Sequence, residues 1–201
     1  MRVGLLGGTF NPPHLGHLVC AQEAYLQLGL EQVLWVAARL PPHKAVDDDL
    51  GIDHRLELCR LAIDGDRRFA VSDVEARRDG PSYTVDTLQE LHSKIPDSDL
   101  FLLVGADVAA GFAGWREPQR VLELATVVVA QRPGTSRAVV EDVLARLADA
   151  DRFCFFDMPE IGISSTMLRE RVRSGESTQY LMPDAVRGYV DQHHLYGGTT
   201  Q

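Results

Sequence analysis

Two histidines, His14 and His17, lie on either side of a glycine, directly after a glycine-containing loop. The loop residues Gly7-Gly8-Thr9-Phe10 follow a short apolar run, and an amphipathic helical pattern follows the histidines. Glycines let a backbone approach a ligand closely, and the N–H groups at the start of a helix attract anions. Two imidazoles at that helix start could donate hydrogen bonds to the same anion. The pattern therefore predicts a phosphate-binding loop that carries groups able to do chemistry.

A zinc site is the alternative interpretation of these histidines, because His-x-x-His spacing also occurs among metal ligands. The sequence offers no supporting cluster of cysteine or acidic residues beside them. Phosphate binding is therefore favoured over metal binding at His14 and His17.

Hydroxyl groups and an arginine form a second candidate site near the other end of the chain. Ser164-Ser165-Thr166 precede an apolar helical run, where hydroxyl residues ordinarily cap the helix. A helix start with several hydroxyls and N–H groups can also hold a phosphate. Arg169 follows Thr166 by three residues and so lies near the same helix face. A surface arginine paired with Glu176 is the alternative interpretation.

Three charged residues are further candidates for contact with an anionic ligand. Lys44 follows stiff prolines and suits a phosphate as a point charge, although a solvated lysine is nearly as well supported. Asp107 follows Gly105 at the end of an apolar strand, and a helix cap is its alternative role. Arg132 stands at the end of the next apolar strand, where it could meet a nucleotide.

The elements that must position these residues alternate between strands and helices. Continuous apolar strands such as 127–129 predict burial on both faces, and hence a parallel sheet with helices on each side. The expected fold class is an α/β, doubly wound Rossmann-like parallel sheet in a single domain over residues 1–201, which includes the C-terminal helical segment of about 164–196. Predicted strands are Val3–Leu6, Val33–Ala37, Phe69–Val71, Leu100–Val104, Thr126–Ala130 and Phe153–Phe156; predicted helices are Leu15–Leu28, His54–Ile63, Val85–Lys94, Gln119–Leu124, Ala138–Ala148, Thr166–Arg173 and Asp184–Gln192.

Two local signals refine the helix ends. Gly29 stands just past the first predicted helix, where a glycine commonly ends a helix. Asp53 is expected to cap the second helix. The polar insertion 45–53 contains an acidic run at 47–49, which we interpret as a solvated part of a mobile loop beside the site.

Composition narrows the function class. The 201 residues carry a formal net charge of −9, which disfavours a nucleic-acid surface because such surfaces need a basic footprint. A stretch of about 20 apolar residues, as a membrane span requires, does not occur, so no membrane association is expected. Three widely spaced cysteines, without a CxxC pair, predict reduced thiols and a cytoplasmic location.

The two motifs also resemble a known family. The first motif, 7–17, is similar to the signature of the HxGH nucleotidyltransferases, and Ser-x-Thr-x-x-Arg at 164–169 is similar to their second signature. Between them stand Pro41-Pro42-His43-Lys44, Pro81-Ser82-Tyr83-Thr84, Gly105-Ala106-Asp107, Trp115 and Arg132-Pro133-Gly134, a set that resembles the bacterial nicotinate-nucleotide adenylyltransferases. The resemblance extends from Val3 to Tyr196.

This resemblance implies an activity: transfer of AMP from ATP to nicotinate mononucleotide, by direct in-line displacement of pyrophosphate, with Mg²⁺ bound through the substrate phosphates. The phosphate nucleophile is already anionic near neutral pH, so alignment and charge neutralisation matter more than a strong base. ATP and nicotinate mononucleotide are the implied partners, and formation of a homo-oligomer stays open. The implied catalytic residues are His14, His17 and Arg169; the implied ATP-binding residues are Gly7, Gly8, Thr9, Phe10, Gly16, Gly105, Asp107, Arg132, Ile163, Ser164, Ser165 and Thr166; the implied nicotinate mononucleotide-binding residues are Lys44, Ser82, Tyr83, Thr84, Trp115 and Arg116, and no protein metal ligands are implied.

Recognition of the acceptor base follows from its chemistry. A pyridinium ring is flat and cationic, so the indole of Trp115 is expected to attract it, whereas Trp35 lies within an apolar strand and is expected in the core. Backbone N–H groups around Ser82-Tyr83-Thr84 would favour a carboxylate over a carboxamide. In two places the chain departs from many relatives: Asn11 stands where they have aspartate, and Arg116 stands where some have an aromatic residue.

Two rival functions share features with this interpretation. Pantetheine-phosphate adenylyltransferases carry the same two signatures, but the Pro81–Thr84 and Trp115 region fits the pyridine-nucleotide branch better. A nucleotide-binding regulatory module without turnover is the rival from another class. The presence of His14, His17 and Arg169 together disfavours it.

Overall fold

A computed structural model describes residues 1–41, 48–131 and 152–197. Within them, six parallel strands form one sheet in the order β3-β2-β1-β4-β5-β6. This arrangement confirms the doubly wound parallel sheet that the alternating pattern predicts. The strands are β1 Arg2–Gly8, β2 Gln32–Ala37, β3 Phe69–Ser72, β4 Asp99–Gly105, β5 Thr126–Gln131 and β6 Phe153–Asp157.

Helices cover both faces of the sheet. One buried cluster contains residues from α1, α2, α6 and α7, and a second contains residues from α3, α4 and α5. The helices are α1 Leu15–Gln27, α2 Ile52–Ala62, α3 Thr84–Lys94, α4 Ala106–Ala110, α5 Pro118–Leu124, α6 Ser165–Arg173 and α7 Asp184–Gln192, with short 3₁₀ helices at Phe112–Gly114 and Leu195–Gly197.

Of the two predicted helix ends, one is confirmed and the other is wrong. Gly29 follows α1 with a φ of +58°, as expected of a residue that ends a helix. The N-cap of α2 is Gly51, and Asp53 lies within the first turn, so the predicted cap at Asp53 is wrong. Asp53 still places a negative charge at the positive end of the helix dipole. The short helix α4 is missing from the prediction, and the predicted helix 138–148 lies outside the described residues.

Strands β1 and β4 stop pairing before their carboxyl ends. The two strands pair from Arg2 to Leu6, whereas β1 stays paired with β2 as far as Gly8. The strand order reverses between β1 and β4, and ligands of doubly wound folds bind at this point. A Cβ added to Gly7 would meet no heavy atom within 4 Å. The sheet therefore places the glycine loop where doubly wound folds are expected to hold a ligand crevice.

The C-terminal segment is part of the same structure as the glycine loop. The N–H of Leu15, the first residue of α1, donates to the carbonyl of Leu181 at 3.2 Å. Among the described residues, no helix is long and apolar enough to cross a membrane.

Candidate active site

The loop after β1 packs on stacked aromatic rings of the core. Phe10 is only 1% exposed, and its ring stacks on that of Trp35 with centroids 5.0 Å apart. The edge of the Phe10 ring also meets His17 at 5.0 Å. Trp35 is fully buried, which confirms its expected place in the core. Phe10 therefore supports the loop with its side chain, and only its backbone is available to a ligand.

The two imidazoles lie against each other at the start of α1. Their ring centroids are 3.8 Å apart, and the backbone N–H of His14 donates to Nδ1 of His17 at 3.2 Å. Because Nδ1 accepts this bond, neutral His17 carries its proton on Nε2. His17 can therefore donate a hydrogen bond from Nε2 to an anion.

The start of α1 has few backbone donors left for a ligand. The N–H of Leu15 is used by Leu181, and the N–H groups of His17 and Leu18 donate to the carbonyl of His14. Gly16 lies between them, and a Cβ there would come within 3.0 Å of the His14 ring. Glycine at this position thus lets the His14 ring pack over the helix start, and the Gly16 N–H is the donor we assign to a phosphate.

The second motif packs directly onto the first. Ser164 caps α6, because its side chain accepts a bond from the N–H of Met167 at 3.2 Å, so the capping interpretation is confirmed. The Ser165 hydroxyl donates to the carbonyl of Pro12 at 2.8 Å. Arg169 donates from its guanidinium to the carbonyl of Asn11 at 3.0 Å. The structure therefore brings together two motifs that are about 150 residues apart.

Arg169 is buried, and it pairs with a carboxylate of the protein itself. Its Nε lies 3.3 Å from Asp48 Oδ2, and Arg173 pairs with the same carboxylate. The hydrogen bond from Arg173, and after it the bond and charge of Arg169, hold the pKa of Asp48 below its ordinary value. Glu176 pairs with Arg171 instead, at 3.8 Å, so the alternative partner proposed for Arg169 is not found.

Arg55 supports the candidate site, and no sequence motif pointed to it. It is fully buried, and its guanidinium donates to the carbonyls of Thr9, Ala38 and Arg39 at 3.1, 2.6 and 3.2 Å. It also pairs with Asp49 at 3.2 Å. Arg55 thus ties together the loops that follow β1 and β2. The available signal was a charged residue on the otherwise apolar buried face of α2.

Two residues of the acidic run, Asp48 and Asp49, are described by the structure. Both are exposed, as the solvated interpretation predicts, and both also make the ion pairs just described. Asp48 pairs with arginines more than 120 residues away, so no local pattern could have indicated its contacts, whereas Asp49 pairs with Arg55 only six residues further on.

On the other side of the crevice, Gly105 and Asp107 stand at the end of β4. Asp107 is exposed, and a Cβ added to Gly105 would lie 2.6 Å from Asp107 Oδ1. No side chain caps α4 at Gly105, so the helix-cap role suggested for Asp107 is not found. Its carboxylate is therefore exposed at the carboxyl end of β4.

The candidate acceptor residues gather at the start of α3. Arg116 lies 4.7 Å over the ring of Tyr83, and Trp115 is half-buried against Phe112 with centroids 5.0 Å apart. Arg116 is held only loosely, at 3.6 Å from the carboxylates of Asp86 and Glu117. An indole face and a guanidinium therefore occupy the same side of the molecule.

Ser82 serves the protein rather than a ligand. Its hydroxyl accepts bonds from the N–H groups of Arg39 and Leu40 at 3.0 and 3.3 Å. The N–H groups of Ser82 and Tyr83 donate to the carbonyls of Leu40 and Pro81. Of the three residues expected to bind a carboxylate, Ser82 and Tyr83 thus have partners within the protein for their N–H groups, and Thr84 begins α3.

Two of the expected binding residues, Lys44 and Arg132, lie outside the described residues. Ile163 and Thr166 flank the Ser164–Ser165 contact, and the Thr166 hydroxyl lies 3.5 Å from Arg169. Within 1–41, 48–131 and 152–197, no group of three or more His, Cys, Asp or Glu side chains is placed to hold a metal ion.

Comparison with known proteins is consistent with this geometry. The model of the cytidylyltransferase-like family matches residues 5–171. The nicotinate-nucleotide adenylyltransferase of Bacillus subtilis is 38% identical over 195 residues, covering 97% of this chain and 98% of that protein. A Salinibacter ruber protein named a probable nicotinate-nucleotide adenylyltransferase is 41% identical and covers 99% and 100%. The chain belongs to the nicotinate-nucleotide adenylyltransferase family.

Solved structures of low sequence identity share the fold of this family. The nicotinic acid mononucleotide adenylyltransferase of Plasmodium falciparum, solved with a ligand abbreviated APC, matches with a TM-score of 0.78 at 15% identity and covers 100% of this chain and 99% of its own. A putative Vibrio parahaemolyticus member matches with a TM-score of 0.69 at 20% identity and covers 98% and 96%. The resemblance stated from the sequence is therefore confirmed, and the chain is an adenylyltransferase with a Rossmann-like fold.

Proposed function

We propose that this adenylyltransferase transfers AMP from ATP to nicotinate mononucleotide, giving deamido-NAD and pyrophosphate. The observation that carries the proposal is the contact between the two motifs, in which Ser165 and Arg169 bind the carbonyls of Pro12 and Asn11. This contact places a guanidinium, two imidazoles and a helix start beside one crevice. Such a set suits a triphosphate, whose charge must be neutralised as pyrophosphate leaves.

The reaction follows from the chemistry of the groups. A phosphate oxygen of the acceptor attacks the α-phosphorus of ATP, a new P–O bond forms, and the bond to the pyrophosphate oxygen breaks. The acceptor phosphate is already an anion near neutral pH, so no strong base is required. His17 donates from Nε2, and Arg169 supplies positive charge, to the oxygens on which charge grows.

The acceptor occupies the side of the crevice formed by α3 and the 3₁₀ helix 112–114. Trp115 offers an indole face to the cationic pyridine ring. Arg116 and the N-terminal turn of α3 attract the carboxylate. The side chain of Arg116 can move to that carboxylate at small cost, because its own acidic neighbours lie 3.6 Å away.

Mg²⁺ would reach this site with the substrate. The side chains at the loop are imidazoles, hydroxyls and a guanidinium, which do not form the oxygen cage that Mg²⁺ prefers. We therefore propose that the phosphates of ATP and water hold the ion, which offsets phosphate charge. We further propose a cytoplasmic location. We also propose a single nucleotidyltransferase domain, which is supported by the hydrogen bonds that join residues 165, 169 and 181 to the first loop and helix.

Pyrophosphate release tests the proposal. With ATP and matched concentrations of acceptor, we expect kcat/KM for nicotinate mononucleotide to exceed that for nicotinamide mononucleotide by roughly 5- to 150-fold. The reason is that a carboxamide NH₂ facing N–H donors and Arg116 leaves polar groups unpaired.

The shorter, uncharged variant Arg116→Gln should bring the two kcat/KM values closer together. The same change at Arg120, on the exposed face of α5, should leave their ratio unchanged. Equal kcat/KM values for the two mononucleotides would contradict the acceptor assignment. Faster turnover of phosphopantetheine would instead favour the pantetheine branch.

A further inference from the structure

Tyr196 reaches the phosphate loop from the far end of the chain. It lies in the 3₁₀ helix Leu195–Gly197 and is 7% exposed. Its hydroxyl donates to Oδ1 of Asn11 at 2.8 Å, across a separation of 185 residues. The backbone at Tyr196 is left-handed, with a φ of 64°, a conformation that costs energy for a residue other than glycine. Surrounding contacts therefore hold this side chain in a defined place.

Asn11 joins three parts of the site. Its backbone carbonyl accepts the bond from Arg169 at 3.0 Å, and its Nδ2 donates to the carbonyl of Asp48 at 3.2 Å. The next residue, Pro12, accepts the bond from Ser165. Asn11 is only 2% exposed, so water is a poor substitute for these partners. The orientation of its side chain therefore affects the second motif as well as the loop.

We propose that Tyr196 is a positioning residue for adenylyl transfer. Its phenol fixes the Asn11 amide, and through Asn11 it fixes the loop that carries His14 and His17 against Arg169. The expected effect of Tyr196 on kcat rests on the proposed function. Its expected effect on the order of the loop rests only on the hydrogen bonds described above.

The phenol suits this task in two ways. Burial raises the pKa of Tyr196 well above its ordinary value, so the hydroxyl stays protonated and keeps donating throughout the neutral range. With the phenol bound to Oδ1, the Asn11 amide directs its NH₂ to Asp48. An aspartate at position 11 could still accept from Tyr196, but it could not donate to the Asp48 carbonyl.

The test compares two tyrosines of the C-terminal segment, each of which has one phenol hydrogen bond. Tyr196→Phe removes the bond to Asn11, and Tyr189→Phe removes a bond of 2.9 Å to His54 Nδ1, away from the loop. We expect Tyr196→Phe to lower kcat about tenfold, because misplaced groups slow chemistry steeply. KM for nicotinate mononucleotide should change less than about twofold, since the acceptor residues pack on the other face of the sheet. Tyr189→Phe should keep kcat within about twofold of the wild type.

Amide hydrogen exchange measures the order of the loop directly and does not depend on enzymatic turnover. The amides of residues 7–11 should exchange faster in Tyr196→Phe than in Tyr189→Phe or the wild type. Unchanged exchange, or a kcat equally lowered in both variants, would overturn the proposal. A wild type that exchanges as expected but does not release pyrophosphate would overturn the proposed function alone.

Variants at position 11 provide an independent check. Asn11→Ala should lower kcat about as much as Tyr196→Phe, and adding Tyr196→Phe to it should cause no further fall. Additive losses would mean that Tyr196 does not act through Asn11. If Tyr196→Phe shows no cooperative unfolding, and so is not folded, Asn11→Asp replaces it in the test. Asn11→Asp keeps an acceptor for the Tyr196 hydroxyl, so its kcat should be higher than that of Asn11→Ala. A lower kcat for Asn11→Asp than for Asn11→Ala would overturn the proposal.

Discussion

At the scale of single residues, one backbone bond decides what His17 can do. The His14 N–H donates to Nδ1, which leaves Nε2 as the protonated nitrogen of the neutral ring. A histidine with the other tautomer would present a lone pair to the phosphate and repel it. The loop geometry therefore prepares His17 as a donor before any substrate arrives.

Replacing His17 should lower turnover without unfolding the protein. We expect His17→Asn to reduce kcat about 100- to 1,000-fold, the usual cost of losing one donor to growing charge. The Asn amide oxygen can take over the role of Nδ1 and accept from His14, so the loop keeps its internal bond. The measurement is steady-state kcat with ATP and nicotinate mononucleotide, accompanied by thermal unfolding.

His92→Asn on the exposed end of α3 is the matched control and should leave kcat unchanged. A folded His17→Asn enzyme with near-normal kcat would remove Nε2 from the mechanism.

At the scale of elements, the loop from Asp48 to Gly51 supplies a carboxylate that pairs with Arg169, the arginine that we propose for ATP binding. Asp48 pairs with Arg169 and Arg173, and Asp49 pairs with Arg55. An internal carboxylate thus occupies the guanidinium that we assign to the triphosphate. ATP must compete with Asp48 for Arg169.

Asp48→Asn should therefore strengthen ATP binding. We expect KM for ATP to fall by up to about fivefold, in line with the modest energies of exposed ion pairs. The folded-state pKa of Asp48 lies below its unfolded value, so its ion pairs stabilise the fold above the unfolded pKa and are lost as pH falls through the lowered one. Asp48 therefore stays ionised between about pH 6 and 8. Its competition with ATP for Arg169 should not change with pH in this range.

Asp184→Asn, which neutralises a carboxylate that is 80% exposed and paired with Arg187, is the control and should leave KM for ATP unchanged. A higher KM for ATP in Asp48→Asn would mean that Asp48 orients Arg169 for the nucleotide rather than competing with it.

How far the sequence predicts these elements depends on how local their signals are. Strand β5 is recognisable from Val127-Val128-Val129 because burial on both faces demands a continuous apolar run. Helix α4 is not recognisable, since five residues are too short to show a helical period. The two motifs are local patterns, and their phosphate-binding role can be expected from them.

The contacts that assemble the motifs are not local. Arg55 with Thr9, Arg169 with Asn11 and Tyr196 with Asn11 each join positions at least 46 residues apart. Side chains that meet through the tertiary fold leave no spacing signal in one sequence. A charged residue on the apolar face of a helix, as at Arg55, is the one local pattern that indicates a tertiary contact of this kind.

At the scale of the whole molecule, the sheet separates two substrate sides. The phosphate loop, α6 and Tyr196 pack with one buried cluster, whereas Tyr83 and Trp115 pack against the other. In the proposed function the substrates meet at the carboxyl edge between β1 and β4. Changes on one side should therefore affect one substrate more than the other.

Trp115→Ala tests this separation. We expect it to weaken binding of nicotinate mononucleotide by about 0.5–2 kcal/mol, the range of a cation–π contact, and to leave ATP binding nearly unchanged. Trp35 is then the remaining tryptophan. Its ring lies 6.2 Å from His17, so its fluorescence should report on ATP binding at the loop. Calorimetric titration with nicotinate mononucleotide gives the other affinity.

The comparison of the two affinities in Trp115→Ala decides between a ligand contact and a packing role. Trp115 also packs against Phe112 in the second cluster, so its loss could loosen that side generally. Leu124→Ala, which trims another half-buried residue of the same cluster, controls for such loosening and should weaken neither substrate. Equal weakening of both substrates by Trp115→Ala would mean that the indole supports the fold, and that the pyridine ring binds elsewhere along the crevice.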